Sequence, residues 1–195
     1  MDNQSLANDP LWPRATSLLK PAGGSGCDVA ILGIPAHLTS ISATNAHTTP
    51  AAIRAALARY STWSASHGID VGALNVQDFG DIQDPDGPAG EAATMAKTQE
   101  LAKLADLVIG LGGDNSVTYA MAMGSLGQDL GTAGLITFDA HHDLRDGISN
   151  GSPVRRLVEA GLAGQRIVQI GIADFSNSPE YAIDRKSTRL NSSHT

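Results

Sequence analysis

Leu107-Val-Ile-Gly-Leu-Gly-Gly-Asp-Asn-Ser116 and Leu135-Ile-Thr-Phe-Asp-Ala-His-His-Asp143 decide the architecture. Each opens with a short apolar run containing β-branched residues, too brief for a helix, and then breaks abruptly into polar residues. The first passes through glycines into a run that reads as a helix to about residue 123, which makes a strand–turn–helix unit. Outward from these, apolar runs at 28–34, 75–79 and 166–172 read as further strands. Thr49-Pro50 opens a helix carrying Ile53, Leu57 and Tyr60 at helical spacing, because proline suits the first helical position. Residues 91–105 and 154–160 read as helices, and 82–90, with Pro85, Asp86, Gly87 and Pro88, as loop. Alternating strands and helices predict an α/β fold: one domain with a parallel sheet and helices on both faces.

The composition narrows the function classes. Of 195 residues, 17% are charged, and 13 Lys+Arg stand against 20 Asp+Glu for a net charge of −7. No basic stripe is available for nucleic acid or an anionic membrane, so neither is expected as a partner. No apolar run approaches the roughly 18 residues that span a bilayer. Met1-Asp2-Asn3-Gln4 lacks the features of a signal peptide, and Cys27 has no second cysteine to pair with, so a cytoplasmic location is expected.

Chemistry is expected beyond the carboxyl ends of the strands, where ligands bind in open α/β sheets. Asp139, His141 and Asp143 stand there at period two, on one side of an extended segment. Two carboxylates and an imidazole form a mixed oxygen and nitrogen set suited to Mn²⁺, Zn²⁺ or Fe²⁺, and without a cation the acids repel each other. The turn at 110–116 departs from the dinucleotide pattern, with Asn115 where a glycine is needed, and Asp114 would repel phosphate. It reads instead as a sharp turn that projects Asp114 and Asn115 toward the Asp139 cluster. His142, between two inferred ligands, should point away. His37, His47 and His67 read as ordinary surface or loop histidines, Arg155 and Arg156 as helix-surface charges, and Cys27 carries no mark of a nucleophile.

Gly112-Gly113-Asp114-Asn115-Ser116 resembles the GGDHS motif, and Asp139-Ala-His-His-Asp143 the DAHxD motif, of the ureohydrolases: arginase, agmatinase and formimidoylglutamase. The resemblance runs from about residue 28 to 183. It implies a three-layer α/β/α sandwich with a mainly parallel sheet, two Mn²⁺ ions, Asp139, His141 and Asp143 as metal ligands essential to catalysis, and a homo-oligomer at full length. Asn115 stands where arginase and agmatinase have a metal-binding histidine, which implies a weaker or differently occupied metal position. Asn150 replaces a histidine of the HGxP segment and can orient substrate but not deliver a proton near neutrality. Arg145 is placed to bind a substrate anion, which a cationic substrate such as agmatine lacks. Residues 150–155 and 172–178 look most like formimidoylglutamases of histidine degradation, which hydrolyse a small linear amidine, N-formimidoyl-L-glutamate. An agmatinase or guanidinobutyrase is the alternative enzyme, and a non-catalytic binding or regulatory relative the alternative of another class.

The family's third motif, SxDxDxxDP, is not found, and three strands of its sheet are absent. The resemblance therefore makes residues 1–183 the N-terminal part of one domain, incomplete at the C-terminus, with an open sheet edge, weak Mn²⁺ binding and negligible activity. Residues 184–195 carry one aliphatic residue, and 184–194 can be back-translated into a common sequencing-library adapter. They are expected to be a non-native tail without structure.

Overall fold

In a computed structural model, residues 9–181 and the backbone of Asn191–His194 are described. In chain order the elements are β1 (Lys20–Pro21), β2 (Cys27–Ile34), α1 (Thr49–Ala56), β3 (Trp63–Ser64), β4 (Ile69–Asp70), β5 (Val76–Asp81), α2 (Gly87–Leu101), β6 (Ala105–Gly112), α3 (Val117–Leu126), β7 (Leu135–Phe138), α4 (Pro153–Glu159), β8 (Ile167–Ile172) and β9 (Asn191–His194). Every strand and helix expected from the sequence is present. Helix α2 starts four residues earlier than expected, at Gly87, because Pro88 occupies its first turn, where a missing N–H costs nothing.

The strands form two parallel sheets, β1-β5-β2-β6 and β7-β8-β9, rather than the single sheet expected, with β3-β4 a small antiparallel hairpin. Strand β2 lies between β5 and β6, and its residues are buried on both faces apart from Asp28. On one face Ala30, Leu32 and Ile34 pack with Leu101 of α2 and with Val117 and Met121 of α3. On the other, Val29 and Ile31 meet Leu18 and Leu19, and Arg54 of α1 reaches over Gly33. This is the sheet with helices on both faces that the alternation implied. A second core beneath β7 and β8 gathers Leu130, Leu144, Val154, Leu157, Leu162 and Ile167.

Among the described residues, β6 and β7 each pair on one side only, and they leave Leu107 and Ile109 (53% and 39% exposed) and Ile136 and Phe138 (63% and 80%) uncovered. The expected open parallel edge is thus present twice. The tail expected to lack structure instead contributes β9, parallel to β8. The unpaired N–H and C=O groups of a strand edge accept any backbone that reaches them, whatever its side chains. The expected boundary near residue 183 lies outside the described residues.

The halves are tied together by α2, α3 and α4. Arg156 of α4 makes a two-pronged bond to Glu91 of α2, 2.7 Å on each prong, and lies over the Tyr119 ring of α3 at 3.6 Å. Neither it nor Arg155, whose Nε donates to Leu144 O, is the plain surface charge expected. Helices α2 and α3 touch at Gly124, where a Cβ would stand 2.5 Å from Met95 O. Alanine gains about 1 kcal/mol in helix propensity over glycine, but this backbone contact must open to admit it, at about 1–3 kcal/mol. Urea unfolding of Gly124→Ala should therefore show a net loss of up to about 2 kcal/mol; a gain in stability would contradict the close approach.

Candidate active site

The turn after β6 is set by its backbone. Gly113 N–H donates to Ile34 O (2.7 Å) and Asp114 N–H to Ala36 O (2.9 Å), and a Cβ on Gly113 would lie 1.9 Å from Ala36 O. Only glycine permits that approach. Gly113 thus allows the sharp turn expected from the sequence by letting two backbones meet. Asp114, however, does not face the Asp139 cluster. Its carboxylate accepts from Ser116 N–H (3.0 Å) and from the Ser116 and Ser40 hydroxyls, closing the turn and holding the loop after β2. Asn115 does project across: its Nδ2 donates to Asp143 Oδ2 at 2.6 Å, while its Oδ1 accepts from the Thr118 hydroxyl at 2.8 Å.

The run after β7 carries the acids. Asp139 N–H still bonds Ile170 O of β8 (3.1 Å), and its Oδ1 accepts from His141 N–H (2.7 Å) with His141 Nδ1 3.0 Å away. At Asp143 the backbone turns left-handed, φ 55°. That conformation is uncommon outside glycine and is tolerated best by Asn and Asp. The Asp143 side chain is 6% exposed, and burial, followed by the nearby Asp139 carboxylate, pushes its carboxyl up to about 7. His142, 3% exposed, points inward as expected.

A cleft of about 320 Å³ is lined by Asn115, Asp139, His141, Asp143, Arg145 and Asn150 together. Of the residues singled out from the sequence, these six share one depression and Asp114 stands outside it. The loop 149–151 positions two of them: Arg145 N–H bonds Gly151 O (3.0 Å), the Arg145 side chain passes over Gly151, and Asn150 Oδ1 accepts from Ile41 N–H (3.2 Å). Ser42, Ser176, Ser178 and Tyr181 also line the cleft and were missed. The signal available for the last three was their place just past the carboxyl end of β8. His37 lies elsewhere, its ring 4.6 Å from that of His47 and tilted 45° to it, with Nδ1 3.5 Å from Asp86. His67 is held by Ser64 and Ser66 in the β3–β4 hairpin, and Cys27 is buried, which raises its thiol pKa.

The donor chemistry suits a divalent metal: a buried acid beside a second acid, with no Lys or Arg side chain bonded to either among the described residues, is the environment that a cation stabilises. Among the described residues, no three His, Cys, Asp or Glu side chains close on one point that would hold a metal ion. His141 leans on Asp139, and Asp143 is engaged by Asn115. In the folded state Asp143 keeps its proton up to about pH 7, whereas the unfolded chain releases it near 3.8. Stability without metal therefore falls as pH rises through that window, by on the order of 4 kcal/mol in total. Urea unfolding in chelator should show about 3 kcal/mol of this loss between pH 5 and pH 8, the remainder lying below pH 5, and Asp143→Asn should remove it; a flat parent profile would contradict the assignment.

A family model described as the arginase family matches residues 27–194. The formimidoylglutamase of Halalkalibacterium halodurans is 37% identical over 190 residues, which cover 90% of this chain and 59% of that protein. The crystal structure of formimidoylglutamase from Bacillus subtilis superposes with a TM-score of 0.89 at 31% identity, over 100% of this chain and 63% of that one. That of Trypanosoma cruzi formiminoglutamase with Mn²⁺ gives a TM-score of 0.81 at 26% identity, covering 93% and 64%. The chain thus spans less than two thirds of the length of these relatives. With the GGDNS turn and the DAHHD run both inside the matched residues 27–194, the chain belongs to the arginase family.

Proposed function

We propose that these residues form part of the catalytic domain of a manganese-dependent formimidoylglutamase, which hydrolyses N-formimidoyl-L-glutamate to L-glutamate and formamide in cytoplasmic histidine degradation. The observation that carries this reading is the pairing, in one cleft, of an acidic end at Asp139 and Asp143 with the Arg145 guanidinium, which makes no ion pair with them. Such a cleft suits a molecule with an amidine at one end and carboxylates at the other. Its support from outside is the similarity to formimidoylglutamases, including one whose structure contains Mn²⁺.

Asp139, His141 and Asp143 would hold the metal, joined by Asn115 if its amide turns Oδ1 toward the cleft. A divalent metal held by these residues would supply a water of lowered pKa, the nucleophile that hydrolysis of an amidine requires at neutral pH. Arg145 binds a substrate carboxylate, with two parallel N–H donors available to it. Asn150 Oδ1 is already engaged by Ile41, which leaves Nδ2 to donate to substrate. Agmatine, a cation without a carboxylate, would meet Arg145 with repulsion, which disfavours the agmatinase or guanidinobutyrase reading. The retention of Asp139, His141 and Asp143 disfavours a non-catalytic binding protein. The full-length enzyme would act as a homo-oligomer on this small molecule, without nucleic-acid or membrane partners; no helix among the described residues is long and apolar enough to cross a membrane.

A chain extended to the relatives' length and loaded with Mn²⁺ should turn over N-formimidoyl-L-glutamate in preference to agmatine or arginine. The 195-residue chain alone should bind Mn²⁺ weakly and show negligible turnover. In the extended chain, Arg145→Ala should raise KM at least about tenfold with a smaller change in kcat, as expected for losing a charged hydrogen bond. Preferred turnover of agmatine, or two tightly held ions in the short chain, would refute the reading.

A further inference from the structure

The residue that controls the acidic run is one that does not face the cleft. His142 is 3% exposed and Gln169, in the middle of β8, is 0% exposed. Gln169 Nε2 donates to His142 O at 3.0 Å, and Gln169 Oε1 lies 2.9 Å from His142 Nδ1. A carbonyl oxygen only accepts, so the amide nitrogen must face it; Oε1 therefore faces the ring, and Nδ1 must carry the proton. Beyond the end of β8, Asn177 Oδ1 accepts from His142 N–H (2.9 Å), while its Nδ2 donates to Ala140 O (3.0 Å) and Ala173 O (3.3 Å). The peptide N–H, the carbonyl and the ring of one residue are thus all gripped by two side-chain amides.

We infer that Gln169 and Asn177 are positioning residues for the acidic run: by clasping His142 inward they fix the outward direction of His141 and Asp143 on either side of it. The regular ladder cannot do this alone. Its last bonds are Asp139 N–H to Ile170 O (3.1 Å) and Ala173 N–H to Ala140 O (3.1 Å), and past them the chain must hold Asp143 in a left-handed conformation. Asn115 and the Arg155 N–H hold Asp143 from the far side, and the clasp supplies the constraint between the ladder and that residue. Neither amide donates to Asp139, His141 or Asp143 side chains, and an apolar residue at 169 would fill the same space without orienting anything. The consequence for metal binding rests on the function proposed above; the consequence for the backbone does not.

Two readouts on the 195-residue chain separate these. Gln169→Met keeps the side-chain length and removes both bonds. Amide hydrogen exchange at Asp139, His141 and His142, measured without metal, should accelerate at least about tenfold, with β2 amides unchanged. Mn²⁺ affinity should fall by about 10- to 100-fold, the usual size of an effect from groups that orient ligands. Asn177→Asp, which keeps the acceptor for His142 N–H and loses both donors, should accelerate the same exchange and decides the matter if Gln169→Met does not fold; because Asn177 lines the cleft and the new carboxylate would itself attract a cation, exchange alone is read in this variant. Ile167→Val loosens the start of the same strand without touching the clasp and should move neither. Parent-like exchange in both clasp variants, or equal acceleration in Ile167→Val, overturns the inference. If the parent holds no Mn²⁺, the metal reading fails while the exchange measurement still decides the clasp.

Discussion

The contact between Gly113 and Ala36 is the constraint on which the site depends. Two backbone bonds join the turn after β6 to the chain leaving β2, and the absence of a side chain at Gly113 is what lets the two backbones meet. From that fixed point Asp114 secures Ser40 and the start of α3, and Asn115 is delivered to the edge of the cleft. A side chain at 113 would separate the turn from β2 and move Asn115 away from Asp143.

The second half of the site comes from a separate sheet, and the two sheets share no strand pairing among the described residues. What aligns them is helix packing, the Glu91–Arg156–Tyr119 contact and polar bridges from Asn115 to Asp143 and from Ile41 to Asn150. Arg155 closes this half by donating its backbone N–H to Asp143 O and its Nε to Leu144 O. The acids are therefore held by neutral donors and helix geometry rather than by opposite charge. Such a site carries an electrostatic cost when no cation is bound, and Asp143 bears most of it through burial.

Much of this was legible beforehand because local rules sufficed. Strand and helix identities followed from apolar run length and from proline at helix starts. The run from Asp139 to Asp143 was legible as a site because polar residues directly after an apolar strand have one place to go. Period-two reasoning set His142 opposite His141 and Asp143, and it held even though the chain leaves the extended conformation at Asp143. The misreading of Asp114 has a local cause as well: an aspartate two residues before a serine readily closes a turn on it, which competes with projecting outward.

Sequence by itself determined the main strands and helices, the parallel class of the sheets and the chemical types at the cleft, because these follow from nearest-neighbour periodicity and from residue chemistry; the short strands and the split into two sheets it did not determine. Only the tertiary structure decided which polar residues meet. Asn115 lies 28 positions from Asp143, and Gln169 lies 27 from His142, yet each pair is in direct contact. No periodicity links residues so far apart. Their pairing is fixed by how strand ends converge and by the demand that a buried amide or imidazole find a partner, a demand that can be stated for one residue but answered only in three dimensions.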